Sequence, residues 1–165
     1  MNTDLEKKLL SRIRLIIVLF MIALVLSGIT AFPIETQLSI AMKHLNLFPE
    51  FIRIWLSSVY EAVKYNNANF PFMSYGTDWL AFAHIVIAVA FIGPLRNPVK
   101  NVWIIQFGVI ACVMVFPLAL IAGYIRGIPL YWRLIDCSFG FLGLIPLLIC
   151  YRMLVRLEKI QSIVP

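Results

Sequence analysis

The chain has 165 residues, of which 62% are hydrophobic, and Lys and Arg outnumber Asp and Glu by 14 to 8. So apolar a chain excludes an ordinary soluble fold, since a domain of this size cannot hide that much surface from water. The formal charge of +6 raises the question of a nucleic-acid partner, but the placement of the charge points to lipid phosphates and no nucleic acid.

Four apolar stretches dominate: Leu15 to Ile34, Trp79 to Leu95, Val102 to Ile125 and Leu134 to Tyr151. Their lengths of 20, 17, 24 and 18 residues match the roughly 17–25 needed to cross a hydrocarbon core about 30 Å thick. Membrane helices are therefore predicted over about 13–34, 78–95, 101–125 and 133–156. The first apolar run is longer than a signal-peptide core of about 7–15 residues and no A-x-A-like site follows it, so it is read as a retained span. In the 35–78 connection, Ile52, Trp55, Leu56, Val59 and Val63 recur at helical spacing, with Glu50, Arg53, Ser57, Glu61 and Lys64 on the other face. This pattern predicts an amphipathic helix over about 49–65 lying in the outer interface, with Pro49 at its first position. A shorter helix is expected within 38–48. Asn66, Asn67 and the Asn69-Phe70-Pro71 turn are expected to end the longer one, and Asp78, preceded by Thr77, reads as the N-cap of the second span. The links at 96–101 and 126–132 are short, which makes successive spans antiparallel neighbours.

Nine basic residues (Lys7, Lys8, Arg12, Arg14, Arg96, Lys100, Arg152, Arg156, Lys159) and three acidic ones fall in the first 14 residues, the 96–101 loop and the tail. The other two connections carry five of each sign. By the positive-inside rule, both termini and the 96–101 loop are cytoplasmic. The expected architecture is an all-α membrane protein: a single integral domain forming a four-transmembrane-helix antiparallel bundle, N-in and C-in, in a bacterial inner membrane. Cys112, Cys137 and Cys150 are odd in number and lie within spans, so they read as small apolar fillers, not as a disulfide or zinc framework.

Ionisable residues within spans are costly and invite a functional reading. The topology gathers Asp78, Tyr124, Arg126, Trp132, Arg133 and Asp136 at the outer rim, with His84 about 9 Å below Asp78 by helical rise. His84 is either a functional group or a neutral imidazole bonded to a neighbouring helix carbonyl, such as the Val113 carbonyl released by Pro117. Arg133 and Asp136 are spaced for a local ion pair. The alternative for the rim is an oxyanion clamp formed by Arg126 and Arg133. Gly140 and Gly143, with Ala81 and Ala88, are candidate close-packing positions, and Gln106 a candidate interhelical hydrogen bond.

These residues lead to the expectation of an outward-opening polar pocket that binds an amphipathic small molecule, such as a lipid or quinone, with no cofactor required. Docking as a subunit of a larger membrane complex satisfies the same pattern. The enzymatic alternative is a lipid-modifying hydrolase or transferase with His84 as general base. A further alternative is a proton- or ion-conducting or haem-binding subunit, the haem requiring both His84 and His44. No metal-ligand spacing accompanies them.

The charge split makes a direct prediction. Epitope tags fused at either end of the chain should resist external protease in intact cells, and a tag inserted at Asn67 should be cut. Cleavage at either end would reverse the assigned orientation.

Overall fold

The computed structural model describes residues 2–163, all of its regular structure being helical, with no strand among the described residues. The ends that carry the topology tags, Met1 and Pro165, lie outside the described residues. The helices are α1 (Asn2–Ala31), α2 (Ile34–Lys43), α3 (Glu50–Asn69), α4 (Pro71–Ala90), α5 (Ile92–Arg96), α6 (Val102–Pro117), α7 (Gly123–Ile125) and α8 (Leu130–Ile163). A short 3-10 turn occupies Leu45–Leu47, and a π-helical segment, Leu118–Ala122, joins α6 to α7.

Four segments are long and apolar enough to cross a membrane: Asp4–Ala31, Pro71–Arg96, Val102–Ile125 and Leu130–Ser162. Only 17%, 22%, 28% and 22% of their most apolar windows are buried within the protein. The remaining apolar surface is compatible with a bilayer as solvent.

Several boundaries follow from prolines. Pro33 has no N–H, and the helical conformation is disfavoured for the residue before it, so α1 stops at Ala31. Across this turn Gln37 Nε2 donates to the Thr30 carbonyl at 2.5 Å, capping a helix-end acceptor. Pro71 opens α4, well before the expected start of the second span near residue 78. This corrects the role of Asp78, which lies about two turns inside α4 and caps nothing. A proline favours the first helical turn because its missing N–H would be unpaired there anyway. Near the other end Pro94 cannot donate to Ala90, and the helix breaks at Phe91 before resuming as α5. The final helix is longer than its apolar core, running from Leu130 to Ile163 where about 133–156 was expected.

Contacts divide the chain into two compact units, Met1–Ile22 with Ala88–Pro165, and Ala23–Ile87. In the first, the fully buried residues include Ile13 and Ile17 of α1, Phe91, Ile105 of α6, and Leu147, Cys150, Leu154 and Leu157 of α8. The α8 positions alternate by three and four, which aligns them along one helix face. Gln161 Nε2 donates to Glu6 Oε1 at 2.7 Å. The Phe20 and Phe91 rings sit 4.9 Å apart. The beginning of α1 therefore runs beside the end of α8.

Helices α6 and α8 meet through small residues. A Cβ on Gly140 would lie 2.7 Å from the Cys112 carbonyl oxygen, and one on Gly143 would lie 2.9 Å from Cys112 Sγ. The close-packing role expected of this glycine pair is thus played against α6. In the other unit, Gly28 of α1 presses on α4: its Cβ would lie 2.7 Å from the Ala81 carbonyl oxygen. Ala81 is fully buried there. On α3, Leu56 is buried and Ile52, Trp55, Val59 and Val63 are half-buried, whereas Glu50, Arg53, Glu61 and Lys64 are exposed. Ser57 departs from the expected polar face: it is half-buried, its hydroxyl facing the Met42 sulfur of α2 at 3.9 Å.

Backbone-to-backbone approach leaves no flexible atom to yield. Gly140→Ala and Gly28→Ala should each destabilise the folded protein by about 1–3 kcal/mol, the usual cost of overpacking. Gly76→Ala, which would meet nothing within 4 Å, should be neutral or stabilising by up to about 1 kcal/mol from helix propensity. Thermal melts of the three variants in one detergent test the ordering.

Candidate functional site

The site built most fully from the chain is the turn between α7 and α8. Pro117 cannot donate to Val113, and directly after it the helix loosens into the π segment Leu118–Ala122. Such π segments inside helices recur at functional positions. The helix then ends in a Schellman arrangement, with Ile128 N–H donating to the Gly123 carbonyl and Gly127 N–H to that of Tyr124. Gly127 has a φ of 69°, a left-handed conformation that costs a side-chain-bearing residue about 1–2 kcal/mol. The Pro129 carbonyl accepts from the N–H groups of Trp132 and Arg133, launching α8 back along α7.

This reversal presses Arg133 onto the chain it has just left. Its Nη1 donates to the Leu120 carbonyl, inside the π segment, at 3.2 Å. Its guanidinium carbon lies 5.6 Å from the centre of the Tyr124 ring, a cation–π contact worth about 0.5–2 kcal/mol. A Cβ on Gly123 would come within 2.7 Å of Arg133 Cδ, so the absence of a side chain at 123 makes room for the arginine stem. Arg133 is drawn onto this turn, not onto Asp136, its expected ion-pair partner. Arg133 Nε is buried without a hydrogen-bond partner.

Arg126 and Tyr124 are exposed, and Trp132 and Asp136 are half-buried. Arg126 contributes its backbone N–H to the Ala122 carbonyl. Tyr124 and Arg133, both expected site residues, are in direct contact in this unit. The participation of Leu120 and Gly123 was not anticipated, because neither a backbone carbonyl nor an absent side chain carries a sequence signal.

Asp78 and His84 belong to the other unit. His84 is half-buried, and its Nδ1 lies 2.8 Å from the carbonyl of Leu80, one turn earlier on the same helix. The expected bond to a neighbouring helix is therefore replaced by a local one. A carbonyl can only accept, so this hydrogen bond requires a proton on Nδ1. His44 closes α2, donating its backbone N–H to Ala41, and is exposed. On α4, Tyr75, Trp79 and Phe82 form edge-to-face pairs with centroids 6.0 and 5.9 Å apart.

This unit also contains a polar chain that the residue pattern did not reveal. Asn66 Nδ2 donates to Ser74 Oγ at 3.1 Å, the Ser74 hydroxyl donates to Asn67 Oδ1, and Asn67 Nδ2 donates to Glu35 Oε2 at 2.6 Å. Every bond points toward the carboxylate, so the chain polarises in one sense. It joins α2, the last turn of α3 and the first turn of α4. The asparagines signalled only a helix terminus, and Glu35 only an interfacial charge. Their 32-residue separation hid the contact.

Among the described residues, no three His, Cys, Asp or Glu side chains gather as a metal-binding set. No protein-family model, curated protein or solved structure matches this chain.

Removing the middle of the polar chain takes a donor from the Glu35 carboxylate and the acceptor from the Ser74 hydroxyl at once. Asn67→Ala should lower stability by about 1–3 kcal/mol, as expected for stranded polar partners, and more than Asn69→Ala, whose exposed amide donates to the Tyr65 carbonyl one turn earlier. Chemical denaturation of both variants measures the difference.

Proposed function

We propose that this chain is an integral membrane protein that holds the oxyanionic or strongly hydrogen-bond-accepting head of an amphipathic molecule at the α7–α8 turn. The observation carrying this reading is Arg133. Its guanidinium has five N–H donors, and among the described residues Nη1 donates to the Leu120 carbonyl while Nε is buried without a hydrogen-bond partner. Tyr124 and the π segment restrict its direction, so less ordering remains to be done on binding. A carboxylate or phosphate suits the unused donors better than a neutral head, because charge-assisted bonds are about twice as strong. Exposed Arg126 adds positive charge to the same turn, and the apolar surface of α6 and α8 suits the ligand's tail.

The same reading orients the protein. All nine cations of the two ends and the 96–101 loop are exposed, and the pairing of α1 with α8 supports placing them on the cytoplasmic side of an inner membrane. The α7–α8 turn, at the far end of α6, then faces outward. Helix α3 lies along the outer interface with Leu56 toward the membrane and Glu61 toward water.

Equilibrium binding of a long-chain carboxylate and of its methyl ester to the purified protein tests the site. The carboxylate should bind roughly ten- to a hundredfold more tightly, the equivalent of about 1.5–3 kcal/mol for hydrogen bonds to a charged group. Arg133→Gln should remove that preference, while Arg133→Lys should retain part of it as a point charge. Equal binding of the two probes to the unaltered protein would refute the assignment.

A further inference from the structure

A second feature lies at the opposite end of α6 from Arg133. Between α6 and α8 runs an open groove of about 370 Å³, lined by Gln106, Val109, Ile110, Leu148 and Tyr151. Its volume falls within the roughly 300–1,000 Å³ of small-molecule sites. Four of its five residues present mainly apolar surface. The polar exception is the Gln106 amide, which reaches the Tyr151 hydroxyl only at 3.5 Å, the outer limit of a hydrogen bond.

The antiparallel pairing that brings Gln106 to Tyr151 also sets Gly108 against Leu147 and Gly140 against Cys112. Carried one to two turns past Gln106, it brings the start of α6, just after Lys100, level with the Arg152–Arg156 turn of α8. Lys100, Arg152 and Arg156 are exposed, as is Glu158, the acidic residue on the same stretch. The groove runs from an amide and a phenol to aliphatic side chains, and by the helix pairing the cations lie beyond its Gln106–Tyr151 end. A glycerophospholipid presents phosphate, ester and hydrocarbon in that same order.

We propose that this groove seats one acyl chain of an anionic phospholipid. Lys100, Arg152 and Arg156 hold its phosphate, and Gln106 donates to an ester carbonyl. The chain lies along Val109, Ile110 and Leu148. Charge complementarity selects the head group, and the groove selects a lipid over a free phosphate. The two sites lie at opposite ends of α6, so failure here leaves the Arg133 reading intact, and the reverse also holds.

Native mass spectrometry of the full-length protein in detergent, stripped of lipid and titrated with phosphatidylglycerol or phosphatidylcholine of identical chains, tests this. Phosphatidylglycerol should bind more tightly. Its affinity should fall by about fivefold for each of Arg152→Gln and Arg156→Gln, the equivalent of about 1 kcal/mol per basic residue at an anionic surface. Val109→Trp, which fills the groove, should also weaken it, whereas Leu142→Trp, at an exposed α8 position outside the groove, should not. Equal affinity for the two lipids, or unchanged phosphatidylglycerol binding in folded Val109→Trp, would overturn the proposal. Competition by water-soluble glycerol phosphate provides a test that needs no variant. Weak competition is expected, and displacement as effective as by the intact lipid would show that the groove holds no chain.

Discussion

The close approach of α8 to α6 at Gly140 is the constraint on which the larger unit depends. Helices in lipid gain little from excluding apolar solvent, so association rests on tight contact and interhelical hydrogen bonds. Gly140 and Gly143 let α8 reach the Cys112 backbone and sulfur. Once that contact is made, the pairing of the two helices is set along their length. It brings Leu147 to Gly108 and Tyr151 to Gln106, and it fixes which surfaces remain for a groove. The buried series Leu147, Cys150, Leu154 and Leu157 continues the same seam.

Prolines supply the irregularity that regular helices lack. A helix satisfies its own backbone groups and offers few of them to anything else. Pro94 breaks α4 from α5 beside Phe91, whose ring is fully buried and packs 4.9 Å from Phe20. Pro117 precedes the π segment whose Leu120 carbonyl receives Arg133. Pro129 and Gly127 turn the chain so that Arg133 returns to that carbonyl within one short connection. At the last of these interruptions a backbone carbonyl and a charged side chain meet in a fixed direction, as Leu120 and Arg133 do.

The smaller unit uses a different device. The Glu35–Asn67–Ser74–Asn66 chain ties α2, the end of α3 and the start of α4 together. A carboxylate at its terminus strengthens each preceding bond. Such a network tolerates partial loss poorly, since a broken member strands its neighbours. Together with the Gly28–Ala81 approach, it holds the last part of α1, α2, α3 and the first part of α4 in one compact group.

The residue order alone revealed the helical class, the four apolar segments and the helix after Pro49. Each of these depends on local composition or on 3.6-residue periodicity, which tertiary contacts do not alter. Helix starts were less legible: Thr77-Asp78 resembles a cap, but Pro71 begins the helix first. The candidate site was partly legible, since Arg133 and Tyr124 stood out as polar groups near a span end. Their arrangement was decided only by the folded chain. Arg133 met a backbone carbonyl instead of Asp136, and His84 bonded within its own helix instead of across to another. Glu35 found Asn67 over a long separation. A sequence names side chains and their spacing, but carbonyl directions, close backbone approaches and distant hydrogen-bond partners exist only once helices have packed.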